Sequence, residues 1–366
     1  MTTQFPRPES SWRAALPGAL ATALLLATLA LVLTTSIRSP LKDDVAWLLY
    51  VARKWLGGQR LYEDLVEVNP PLIVWIYAIP AALAEWTGAA PRLIAAPFFA
   101  LLVLASAAWT ATLLHARAAI FNHRLPVFAL LATAMLLLPG IEFGQREHLL
   151  LVACLPYLVL LARALDGEKE PPMTAIAAGI LCGLGCALKP SFALALLLLE
   201  AVALFSRNRH RARGPLRLAA LSAFLAMALY GAGVVLFCPA FLQKAVPLAL
   251  ALYGGTDTPW WPLLIDSQRL IFGLAVLLIL CASSRSPLAR RSPFLRHLLV
   301  ALLLFAAGAA VVFVLQGKNW FYHRLPATLA TVLALLLWIA AVAPSLRLAQ
   351  RHALPAVLAQ DRKRHV

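Results

Sequence analysis

Charge is scarce in this sequence, and negative charge is scarcest. Only 13% of its 366 residues are charged, 16 acidic against 32 basic, while 62% are hydrophobic. A soluble domain carries about 25% charged residues, so this chain cannot cover a water-facing surface. Its mean hydropathy is +0.81, and its apolar runs approach or reach the ~17–25 residues that cross a bilayer. The expected fold class is therefore an all-α, polytopic membrane protein. Cysteine is also sparse. Cys154, Cys182, Cys186, Cys238 and Cys281 all fall within or at the ends of apolar runs. Four-residue spacing of Cys182 and Cys186 is not one of the usual zinc or redox spacings, so the thiols read as small buried side chains. P-loop, Rossmann, HExxH and G-x-S-x-G motifs are absent. So are an internal repeat and any nucleic-acid-binding signature. Nucleotide-dependent chemistry thus has no visible site. The net charge of +16 reads as basic loops that fix topology, with no nucleic acid partner.

What acid there is gathers. The stretch Leu41–Pro71 holds Asp43, Asp44, Glu63, Asp64 and Glu67. Before it, Leu16–Leu33 is longer than the ~7–15 residues of a signal-peptide core and no cleavage pattern follows, so it reads as an uncleaved first span. Within the stretch, Val45–Leu56 is amphipathic and suits a helix in the membrane interface with Trp47 and Trp55 at headgroup depth. Gly57–Gly58 stops it, and Asn69–Pro70–Pro71 is a rigid break. The next apolar run, Leu72–Ala84, is short for a crossing and reads as re-entrant or interfacial.

That reading fixes the parity of every later loop. Spans follow at Leu93–Leu114, Leu125–Leu138, Leu149–Ala162, Met173–Leu188, Ser191–Phe205, Leu218–Phe237, Leu270–Ala282, Leu298–Leu315 and Leu325–Val342, about ten in all with the first. Sorted this way, the inner face holds 20 basic and 6 acidic residues and the outer face 12 and 10, as the positive-inside rule requires. If Leu72–Ala84 crossed, the basic runs Arg207–Arg213 and Arg285–Arg296 would face outward. The chain is expected to form one integral-membrane domain over residues 1–366. Residues 37–92 are its first outer-face loop and 345–366 a cytoplasmic tail, with both termini cytoplasmic in a bacterial inner membrane.

Four outer clusters carry the candidate chemistry. Asp43 and Asp44 follow the first span; one Asp suffices to cap a helix, and a pair at the bilayer edge offers a general base. Glu63, Asp64 and Glu67 offer acceptor support or oxygen ligands for Mg²⁺ or Mn²⁺, at a spacing that specifies no metal. In the cluster Glu142–His148, the consecutive Gln145, Arg146, Glu147 and His148 sit at membrane depth, where ionisable groups are costly and usually functional. Lys318, Tyr322, His323 and Arg324, with Lys189, supply cations suited to a phosphate.

These residues resemble a known family. Asp43–Asp44, a helix ending in Gly57–Gly58, Tyr62–Glu63–Asp64 and Asn69–Pro70–Pro71–Leu72 look like the first outer loop of GT-C glycosyltransferases. The likeness is greatest to the bacterial relatives of protein mannosyltransferases and aminoarabinose transferases. It implies an inverting transfer of a sugar from a polyprenyl-phosphate donor to an acceptor hydroxyl. It implies a catalytic carboxylate at Asp43 with Asp44 beside it. A second acid, at Arg146–Glu147, is Glu where the relatives carry Asp. The late loop Lys318–Arg324 is similar to the family's basic, aromatic outer loop. The acceptor, whether glycan, lipid or protein, stays open. A lipid or glycolipid transporter and a non-catalytic envelope scaffold are the rival readings.

Overall fold

A computed structural model of the protein describes residues 9–205, 217–254, 258–282 and 292–364, with side chains described from Leu16 to Val342 within them. The basic runs 206–216 and 283–291 lie outside the described residues. In chain order the helices are α1 (Glu9–Arg38), α2 (Asp43–Leu56), α3 (Pro71–Thr87), α4 (Pro91–Leu114), α5 (Arg124–Leu137), α6 (Arg146–Leu165) and α7 (Pro172–Ala187). They continue with α8 (Ala193–Phe205), α9 (Leu218–Phe237), α10 (Val246–Tyr253), α11 (Trp260–Asp266), α12 (Gln268–Ala282), α13 (Pro293–Leu315) and α14 (Phe321–Arg364). Among the described residues the one β contact is an isolated bridge, Leu61 to Leu65.

The protein is all-helical, with the long apolar helices of a multi-pass membrane protein. Six are long and apolar enough to cross a bilayer: α1, α4, α6, α9, α13 and the first half of α14. α11 and α12 meet at a 71° bend and make a seventh if counted as one broken span. The sequence predicts about ten crossings. The difference lies in that bend and in α5, α7 and α8, which are 14, 16 and 13 residues long. At about 1.5 Å rise per residue these fall short of a hydrocarbon layer about 30 Å thick.

α6 is the axle of the bundle. Nearly every residue from Glu147 to Leu165 is buried, because α4, α7, α13 and α14 pack around it. A helix apolar on all sides is at home only where neighbours cover every face. α7 reaches its neighbours through small residues, the usual device where lipid leaves no hydrophobic drive between helices. A Cβ on Gly179 or Gly183 would collide with the Ala219 or Ala223 carbonyl of α9. A Cβ on Gly185 would stand 2.8 Å from Ala153 Cβ of α6.

The two ends of the bundle differ. At the C-terminal end of α6 the few acids are paired off. Glu168 holds Arg117 and Arg163, and Arg217 joins Glu170 to Glu200, with Nη1 2.7 Å from the Glu200 carboxylate. Tyr157 donates to Glu200 at 2.6 Å. This clasp uses its charges on one another. At the other end α2 and α3 pack together as a small separate core. Val45, Leu48, Leu49, Val51 and Ala52 meet Ile73, Val74, Tyr77 and Ala81, and seat on Ala95, Phe99 and Leu149. Gly58, at φ 91°, takes the left-handed turn that ends α2, and Gly88, at φ 68°, ends α3. α3 is 17 residues long and below the length of the six long helices.

Candidate functional site

α2 begins one residue earlier than a capping reading requires. The cap position is Lys42, which makes no side-chain capping bond, and both aspartates lie in the first helical turn. Successive helical residues point about 100° apart, so the two carboxylates part company. Asp43 points outward, 81% exposed, 3.1 Å from Lys42 Nζ. The hydrogen bond from Lys42 holds its carboxyl below the ordinary range. Asp44 points inward, half-buried, with no hydrogen bond or ion pair among the described residues. Burial pushes its carboxyl up, the negative charges of Asp43 and Glu147 push the same way, and Arg146 and Lys42 oppose.

Of these, Arg146 and Glu147 come from α6. The sequence places Arg146, Glu147 and His148 in a turn; the structure places them in the first turn of α6, after Gln145. A short 3₁₀ turn, Gly140–Glu142, and the left-handed Gly144 (φ 88°) lead into it. Arg146 is half-buried and makes no hydrogen bond or salt bridge among the described residues. Glu147 is fully buried. His148 is taken up structurally: its Nδ1 accepts from Gly144 N–H at 3.1 Å, so its Nε2–H donates to the Met135 carbonyl at 2.9 Å. It therefore positions the turn. Glu142, also buried, accepts from Gln145, and burial raises its carboxyl, with Lys42 opposing.

Lys189 arrives from the break between α7 and α8. Pro190 disfavours a helical conformation for the residue before it, and Lys189 is extended at φ −149°. Its Nζ donates to Glu147 Oε1 at 2.7 Å and stands 5.6 Å from the Tyr322 ring centre. Burial pulls the ammonium down to about 8, with Glu147 opposing. The start of α14 closes the group. Tyr322 is half-buried, within the fields of Asp44, Glu147 and Arg146, and makes no hydrogen bond among the described residues. His323 is buried beside it, in the fields of Lys189, Glu147 and Arg146, with Nδ1 unpartnered.

Six side chains thus converge from four separate segments: Asp44, Arg146, Glu147, Lys189, Tyr322 and His323. Other candidates lie elsewhere. Glu63 and Asp64 both close on Arg60, at 2.5 and 3.2 Å. Glu67 is a pin: one oxygen accepts from Trp47 Nε1 at 2.8 Å, the other from the Val68 and Asn69 amides at 2.7 Å each. Lys318 donates to the Tyr253 carbonyl. Arg324 donates to the Asp266 carbonyl at 3.0 Å and lies over Phe313 and Phe321. Lys318 ties the loop before α14 to the end of α10, and Arg324 ties α14 to the α11–α12 bend. As divalent-cation ligands the acids of the first loop do not gather. Among the described residues the one group of three close metal-binding side chains is Cys154, Cys182 and Cys186.

The cluster pairs an uncommitted carboxylate with uncommitted or half-committed cations beside aromatic rings. That arrangement accepts a proton on one side and holds an anion on the other. Glu142, which the sequence marks only as the edge of the Glu142–His148 cluster, and Lys42, to which it gives no role, both act on Asp44's surroundings through their charges. Their only signal was adjacency to the motifs. Comparison with protein-family models, with curated proteins and with solved structures finds no match.

Proposed function

We propose that the protein is a membrane glycosyltransferase of GT-C type that moves a sugar from a polyprenyl-phosphate donor to an acceptor hydroxyl. The observation that carries this reading is the convergence at one end of an apolar bundle. Asp44, Arg146, Glu147, Lys189, Tyr322 and His323 meet there from segments far apart in the chain.

In this reading the cluster end is the outer face of a bacterial inner membrane, α2 and α3 lie along that face, and the termini are cytoplasmic. α5, α7, α8 and the bent α11–α12 pair complete about ten crossings, the short ones shielded by neighbours. The lipid tail of the donor lies among the spans. Asp44 takes the proton of the acceptor hydroxyl, and burial makes it a better base than exposed Asp43, which Lys42 neutralises. Arg146 and Lys189 stabilise the charge that grows on the departing phosphate. Arg146 offers a bidentate fork and Lys189 a point charge. Glu147 holds Lys189 in place, and Tyr322 packs against the same ammonium. Placement of the uncommitted charges at one end, where a transporter usually holds them at the midplane, favours the enzyme over a transporter.

The test is transfer itself. The protein, purified into vesicles with a radiolabelled polyprenyl-phosphate sugar and a lysate-derived glycan, lipid or protein acceptor pool, is expected to release the lipid phosphate and label an acceptor. Labelling no greater than in empty vesicles, across hexosyl and pentosyl donors, contradicts the reading.

A further inference from the structure

Three thiols that the transfer reading leaves unused meet in the middle of the bundle. Cys154 comes from α6, and Cys182 and Cys186, one helical turn apart, come from one face of α7. Cys154 Sγ and Cys182 Sγ are 3.5 Å apart, and all three sulfurs lie within 4.8 Å of one another. All three side chains are buried, 1–2% exposed. We propose that Cys154, Cys182 and Cys186 form a buried three-sulfur site for one soft metal ion of the monovalent copper class.

The spacing fits. Ligand sulfurs about 2.3 Å from a central ion, set in a trigonal plane, stand about 4 Å apart. The packing holds that spacing. Gly185 seats α7 against Ala153 and Leu150 of α6, while Gly179 and Gly183 press it onto α9 from the other side. The backbones leave α7 no room to withdraw its thiols. The donor set selects the ion. Thiolates favour soft metals. A structural zinc site takes four ligands and an iron–sulfur cluster four cysteines, yet no fourth Cys, His, Asp or Glu joins the group among the described residues. A soft ion that accepts three sulfurs is complete here. Each thiol that ligates gives its proton to solvent, with no change of oxidation state. The ion bolts α6 to α7 directly beneath Lys189, which lies three residues beyond Cys186. This site does not depend on the transfer reading.

The test uses the full chain, expressed with added copper, purified in detergent under a thiol-free reductant and washed with a Cu(I) chelator. Wild type, Cys238→Ser and Cys281→Ser are expected to keep one copper per chain, and Cys154→Ser, Cys182→Ser and Cys186→Ser to fall to background. X-ray absorption at the copper edge of the wild type is expected to show sulfur neighbours only. It decides alone if the triad variants fail to accumulate. Copper washed from the wild type, copper kept equally by all variants, or nitrogen or oxygen neighbours at the metal overturns the proposal.

Discussion

Lys189 Nζ donates to Glu147 Oε1 at 2.7 Å, while Glu147 Oε2, equally buried, has no partner among the described residues. Burying such a pair costs desolvation that its attraction repays only when the remaining lone pairs are satisfied. Here one oxygen is left unsatisfied at the place where Asp44, Arg146, Tyr322 and His323 also converge. A pair built for stability alone has no use for that vacant acceptor; a site that must hold a cation in place does.

Glu147→Gln is therefore expected to do double damage. It leaves the Lys189 ammonium buried without its counter-charge, which costs about 3–5 kcal/mol when one partner of a buried pair is removed. The detergent melting temperature should drop together with transfer activity. The double variant Glu147→Gln/Lys189→Met should recover much of the stability and none of the activity. Recovery of both would reduce the pair to a structural one.

The pH profile of transfer should be bell-shaped. Asp44 serves as a base only when ionised, and burial raises its carboxyl. The rate should therefore climb with pH through a value above the ordinary Asp figure of about 3.9. Lys189 holds phosphate only when protonated, and its ammonium is pulled down to about 8. The rate should fall as pH rises through that value. Replacing Lys189 by Arg, which stays charged, should remove the alkaline limb; a limb unchanged in that variant would assign it to another group.

Gly183→Val should loosen the bundle. A side chain there meets the Ala223 carbonyl, which is backbone and cannot step aside. Overpacking of this kind costs about 1–3 kcal/mol, read as a lower melting temperature and broader elution in detergent. Gly231→Val, at a glycine whose added Cβ would meet nothing within 4 Å, is the control and should behave as wild type.

Topology has its own measurement. Glu63 and Asn122 are both exposed, and in the proposed arrangement α4 crosses between them. Single cysteines at the two positions, in a background free of other accessible thiols, should label from opposite faces of sealed vesicles. Labelling from one face would place α3 across the membrane and invert every later loop.

The sequence makes the helical class plain through two features together: 13% charge leaves no water-facing alternative, and apolar runs near the length of a spanning helix leave little room for strands. Arg146 and Lys189 stand out in the sequence as costly groups inside or beside apolar stretches. The division of labour between neighbours does not. Asp43 and Asp44 are identical in type and adjacent, and only helix phase and Lys42 tell them apart. Glu67 reads as a free acid until Trp47 Nε1 and two amides are seen on it. Arg324 reads as a phosphate cation until it turns to the Asp266 carbonyl. Crossing number blurred because α5, α7 and α8 are apolar yet short, and apolarity shows in sequence more clearly than length.

The most direct measurement compares Asp44→Asn with Asp43→Asn in the vesicle transfer assay, at equal folded protein. Loss of a general base costs about 10²–10⁴-fold in rate. Asp44→Asn is expected to fall in that range, while Asp43→Asn, which loses only an exposed contact to Lys42, stays within a few-fold of wild type. Undiminished transfer by Asp44→Asn would contradict the account at its centre.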